Sequence, residues 1–212
     1  MLGKILGAEA REVGQGDFEG RPAHVVVAGR TYATDPDDLW DALTTAERIP
    51  LWLRPVTGEL DVGGRYQLAD GAGGTITQCV PPWAFEVTWE VGSVVSRVGV
   101  GLQGRADGTR LTLEHNLPIE GDDSHWTRFG PAAVGVGWDL ALMSLGLHLE
   151  TRGPPVDRSE VAAWTASDAG KAFVRESAAA WAEAHIAGGV DPETARAMAR
   201  RAAEAHLDGS LI

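Results

Sequence analysis

The clearest signal along the chain is a change of hydrophobic period near residue 130. Upstream of it, apolar and polar residues alternate. Trp83, Phe85, Val87 and Trp89 alternate with Ala84, Glu86, Thr88 and Glu90, the period-two pattern of a half-buried strand. Ser96, Val98, Val100 and Leu102 share one face of the next run, and Leu111, Leu113, His115 and Leu117 share one face of the run after that. Val91-Gly92-Ser93 and Asp107-Gly108 supply the turns between them. Further strands are expected over Ala23–Tyr32, Arg65–Ala69 and Gly74–Val80, the last ended by Pro81-Pro82. Strands joined by short turns predict an antiparallel meander.

Two short helices interrupt this pattern after the first strand. Asp35 can cap a helix that has Pro36 in its first turn, followed by Leu39, Trp40, Ala42 and Leu43. Thr45-Ala46-Glu47 starts a second helix through Ile49, Leu51 and Trp52, kept short by Pro50 and Pro55. Downstream, Val134, Trp138, Ala141, Leu142, Leu145 and Leu149 follow helical spacing, predicting a long apolar helix over Gly130–Leu149. It carries Gly135, Gly137 and Gly146. Each costs about 1 kcal/mol relative to alanine inside a helix, so their presence suggests close backbone approach or room left beside the helix. Two more helices begin at Ser167-Asp168 and Asp191-Pro192-Glu193. Before residue 22 the pattern is weak; a short frayed helix around Leu2–Glu12 and a glycine-rich link are expected there.

Composition narrows the function classes. The chain has 212 residues, 44% of them hydrophobic, with eight tryptophans, enough for one sizeable core. The formal net charge of −12 argues against nucleic acid and against an anionic membrane surface, both of which require a basic face. No apolar run approaches a membrane span, and the start of the chain lacks the apolar region of a secretory signal. Cys79, the single cysteine, cannot form an internal disulfide, which fits a reducing, cytoplasmic setting. The composition shifts at Thr151-Arg152-Gly153-Pro154-Pro155, after which the chain is alanine-rich. Three segments are therefore expected: an N-terminal extension over 1–21, an α+β domain over 22–150, and a helical extension over 151–212.

The ordered set of motifs resembles the START/Bet v 1-like (SRPBCC) superfamily. More narrowly, it is similar to bacterial homologues of the activator of the 90-kDa heat-shock chaperone ATPase. The resemblance rests on Tyr32 through Thr44, Trp52, Val62-Gly63-Gly64-Arg65-Tyr66, Gly74-Thr75-Ile76, Pro81-Pro82, Val87-Thr88-Trp89, Gly108 through His115, and Gly137-Trp138. It covers roughly residues 22–150. It implies an α+β helix-grip fold, in which a curved antiparallel sheet wraps around a long C-terminal helix with two short helices. It also implies an apolar cavity between sheet and helix. The helical tail lies outside the minimal fold. The eukaryotic chaperone activators carry a separate N-terminal chaperone-binding domain, for which 21 residues leave no space, so direct chaperone activation is not expected.

Candidate chemistry is sparse. His115 shares a strand face with Leu111 and Leu113, where a neutral imidazole either bonds a ligand, acts as a base, or satisfies the structure around it. Trp52, Trp89 and Trp138 lie on three elements expected to converge on the cavity, as ligand-facing walls or as plain core. Asp139, in the middle of the long helix, either lies on a solvated face, pairs with an arginine, or is a functional acid. Arg97 is placed to pair across strands with glutamates, and Cys79 reads as a small buried hydrophobe. No metal-ligand spacing, nucleophile elbow or phosphate loop is present, and no cofactor is expected. The leading reading is a binder of a small hydrophobic molecule through Trp52, Trp89, His115 and Trp138, with no metal. The alternatives are a cyclase- or dehydratase-like acid–base enzyme using the same cavity, and a chaperone co-factor or interaction module; a homodimer is compatible with each.

Overall fold

The computed structural model describes residues 7–119, 121, 123–152 and 163–211. Eight antiparallel strands form one sheet in the order β1-β2-β8-β7-β6-β5-β4-β3. The strands are β1 (Ala10–Phe18), β2 (Arg21–Tyr32), β3 (Val56–Gly58), β4 (Arg65–Leu68), β5 (Gly73–Val80), β6 (Ala84–Val91), β7 (Val94–Arg105) and β8 (Gly108–Pro118). Two short helices, α1 (Pro36–Thr44) and α2 (Ile49–Trp52), follow β2. Beyond β8 come α3 (Ser124–Phe129) and the long α4 (Ala132–Thr151). The tail supplies α5 (Asp168–Ala187) and α6 (Pro192–Asp208). This is the α+β helix-grip arrangement.

Local chemistry sets these elements. Asp35 caps α1 by accepting from Asp38 N at 2.9 Å, and Ser167 and Asp191 cap α5 and α6 in the same way. The inner-face alternation of β7 and β8 is as the pattern predicts: Ser96, Val98, Val100 and Leu102, and Leu111, Leu113 and His115, are all buried. α4 is apolar around most of its circumference because it is covered twice. The sheet lies on one side and the tail helices on the other, within one continuous core. Contrary to the expectation that no segment approaches a membrane span, its length and composition would suit one, but more than half of it is buried inside this core.

Two further expectations are corrected, and two elements are additional to those expected. The segment expected as a frayed helix is in part β1, paired with β2 along its whole length; Leu2–Leu6 lie outside the described residues. The strand was not visible as alternation because its inward positions include Arg11, a cation, while Gly14 and Gly16 carry no side chain. The β1–β2 turn is Glu19-Gly20, both residues at positive φ (54° and 77°), as a tight two-residue hairpin demands. The short strand β3 and the helix α3 were not anticipated; Gly130, at φ 60°, separates α3 from α4. Finally, Trp83 precedes β6 and is 50% exposed, so it does not join the inward face of Phe85, Val87 and Trp89.

Candidate functional site

A cavity of about 150 Å³ lies between the inner face of the sheet, the α1–α2 segment and α4. Its walls are almost wholly apolar, with Leu43 and Ile49 from the short helices, Val98 and Leu113 from the sheet, and Leu142 and Leu145 from α4. Trp52, Trp89 and Trp138 all line it, so the structure brings these three predicted residues together. Cys79, half-buried, also contributes to the wall.

Most polar groups at the wall are already engaged inside the protein. The Trp52 indole donates to the Ala42 carbonyl at 2.8 Å, the Thr44 hydroxyl to the Trp40 carbonyl at 2.8 Å, and the Tyr66 hydroxyl to the Thr88 carbonyl at 2.8 Å. Burial pushes the Tyr66 hydroxyl pKa upward, so it remains a neutral donor. Trp89 carries the only lining indole N–H without an acceptor among the described residues. Among the described residues no charged side chain contributes to the wall.

His115 is placed differently from the three tryptophans. It is 3% exposed and sits behind the wall rather than in it. The Trp138 indole donates to its Nδ1 at 3.1 Å, and its Nε2 lies 2.8 Å from Ser96 Oγ, which itself lies 3.0 Å from the Trp89 carbonyl. An indole N–H only donates, so Nδ1 is the acceptor and the ring proton sits on Nε2. Nε2–H then donates to Ser96, and the Ser96 hydroxyl donates to the Trp89 carbonyl. Burial lowers the His115 pKa to about 3, so the ring is neutral under ordinary conditions. Ser96 is the polar neighbour that an acid–base reading would need. However, the chain of donors runs from histidine to serine, opposite to the direction that activates a serine, and neither group reaches the cavity wall.

Asp139 is the polar residue whose importance is greatest outside the cavity. It is fully buried, and its carboxylate meets the N-terminal segment and the tail. It accepts from Ala8 N at 2.7 Å, from Arg11 at 2.9 Å, from Ser177 Oγ at 2.5 Å and from Trp181 Nε1 at 3.2 Å. Of the three readings of Asp139, pairing with an arginine is the one realised, and that arginine comes from the unanticipated β1. Arg97 pairs with Glu86 at 3.5 Å across the outer sheet face. Among the described residues no cluster of His, Cys, Asp or Glu is arranged to hold a metal.

The curved sheet, the gripped α4 and the apolar space between them define a START/Bet v 1-like protein. Residues 33–150 match the family model described as Activator of Hsp90 ATPase homolog 1-like protein, and the chain belongs to that family. Among solved structures it is similar to CalU16 from Micromonospora echinospora. The crystal structure of CalU16 aligns with a TM-score of 0.64 and 27% identity over 82% of this chain and 96% of that one. Its solution structure aligns with a TM-score of 0.69 and 27% identity over 85% and 96%. Such coverage cannot fit within residues 33–150, so the similarity extends into the flanking elements. The Aha1 dimer from Colwellia psychrerythraea shares the fold at 17% identity, with a TM-score of 0.50 over 60% of this chain and 96% of that one. No curated protein matches the chain.

Proposed function

We propose that this protein binds a small, uncharged, apolar molecule in the cavity between sheet and α4, with Trp52, Trp89 and Trp138 as the walls that touch it. The observation that supports this most directly is the apolar space between sheet and helix, lined among the described residues by three indoles and by no charged side chain. A core that needed only stability would close such a space, since an unfilled cavity costs roughly 24 cal/mol per Å3. Apolar cavities of about this size stay dry and take up single-ring hydrocarbons. With Trp52, Tyr66 and Thr44 already engaged, the ligand is held by shape and by contact with aromatic faces.

The test is calorimetric titration with toluene and naphthalene, alongside native mass spectrometry of protein purified without denaturation. Wild type is expected to bind at least one of these probes saturably. Ala141→Phe, which places a ring in the cavity from α4, is expected to abolish that binding while leaving the protein folded. Absence of saturable binding to wild type would overturn the reading.

A further inference from the structure

We propose that His115 is a positioning residue that holds the Trp89–Trp138 wall in one orientation and so sets which apolar molecules fit the cavity. This rests on the reading of the cavity as a ligand site and goes a step beyond it. Two lining indoles meet at 5.0 Å between ring centroids with a tilt of 56°. Without further restraint, each could turn about its side-chain bonds to suit the occupant. Three observations show what restrains them. The Trp138 indole N–H is tied to His115 Nδ1 at 3.1 Å. The imidazole packs against both indoles in edge arrangements, 5.7 Å from Trp138 and 6.5 Å from Trp89 between ring centroids. The imidazole is itself held by Ser96, and Ser96 is bonded to the backbone carbonyl of Trp89.

The hydrogen-bonded chain runs from a side chain of α4 through side chains of β8 and β7 to the backbone of β6; it ties the Trp138 indole directly, while the Trp89 indole is restrained by the imidazole packed beside it. Every donor in it has an acceptor, and a fully satisfied buried network specifies a single geometry. A neutral imidazole supplies one acceptor and one donor on opposite sides of a rigid ring, which is what bridging an indole N–H to a serine hydroxyl requires. The consequence is selectivity by shape. A wall locked at a fixed tilt accepts a planar ring system and rejects a puckered one with the same number of carbons. A wall free to turn accepts both.

The experiment compares naphthalene with cis-decalin by calorimetry in wild type, His115→Phe, His115→Gln and Ser96→Ala. The Trp138 indole N–H resonance is followed by NMR and assigned by its disappearance in Trp138→Phe. Wild type is expected to prefer naphthalene by about fivefold, the range that aromatic contacts supply. In His115→Phe, which keeps a ring but offers no acceptor, the preference is expected to fall to within twofold of one as the indole resonance moves. His115→Gln, whose amide offers both an acceptor and a donor, is expected to restore at least half of the preference. A purely structural histidine would change stability but not this ratio. If His115→Phe keeps the wild-type preference although the indole resonance has moved, the proposal is overturned. Equal affinities in wild type also overturn it. If His115→Phe does not fold, Ser96→Ala decides by the same criterion, since it removes one link without touching the wall. Failure of wild type to bind either probe instead removes the cavity reading on which the proposal rests.

Discussion

At the scale of single residues, two buried polar groups, one on α4 and one hydrogen-bonded to it, do different work. Asp139 neutralises Arg11, whose side chain is only 9% exposed. Removing one partner of a buried pair leaves the other charged and unsolvated, at a cost of about 3–5 kcal/mol. Asp139→Ala is therefore expected to lower unfolding free energy by about that amount in urea titration, with Ser177 and Trp181 also losing their acceptor. His115 is held neutral by burial, with a pKa lowered to about 3 against the ordinary 6.5. Between those values the unfolded chain binds a proton that the folded chain refuses. The stability associated with the neutral ring is thus fully present above about pH 6.5 and is lost as pH falls toward 3. In His115→Gln, the slope of unfolding free energy against pH between 4.5 and 6 should be shallower than in wild type, by at most about 1.4 kcal/mol per pH unit. Some slope should persist, because burial also lowers the pKa values of His148, His185 and His206. Unchanged slopes would mean that His115 titrates alike in both states.

At the scale of elements, the glycines of α4 show how far a residue type can be read without its neighbours. Gly135 and Gly137 are two residues apart, and propensity alone treats them identically. A Cβ on Gly135 would lie 2.3 Å from the Trp181 ring, whereas one on Gly137 would meet nothing within 4 Å. Gly137→Ala is therefore expected to stabilise the protein by up to about 1 kcal/mol. Gly135→Ala should destabilise it, because the gain in helix propensity is outweighed by displacement of a fully buried tryptophan. Thermal melts of the two variants should shift in opposite directions. The sheet and its faces were legible because β6, β7 and β8 bury one face and their alternation is uninterrupted. β1 was hidden because its inward cation has a partner, Asp139, that lies 128 residues away. The tryptophan wall was legible for the same reason as the strands, since Trp89 and Trp138 occupy inward positions of strongly periodic segments. What His115 does behind that wall could not be read from periodicity. Its role depends on which donor faces it, and Trp138 Nε1 is brought there by the packing of α4 across the sheet.

At the scale of the whole molecule, the tail changes what the gripping fold has to do. α4 presents apolar surface both to the cavity and away from it, so a sheet alone would leave half of the helix exposed to water. α5 covers that half, and it does so through specific groups: Trp181 fills the notch at Gly135, while Trp181 and Ser177 both donate to Asp139. The same carboxylate holds Ala8 and Arg11, so the start of the chain, the gripped helix and the tail meet at one buried atom pair. Buried residues of the tail and of the sheet also belong to one core. Elements that share a core and a satisfied polar network open together rather than in separate units. The most protected amides of α5 are therefore expected to exchange with solvent hydrogen at the same opening free energy as those of β7 and β8. Asp139→Ala should lower both by a similar amount. Exchange of α5 at a free energy several kcal/mol below that of the sheet would instead make the tail a separable cover, and would leave the cavity wall on α4 stabilised by the sheet alone.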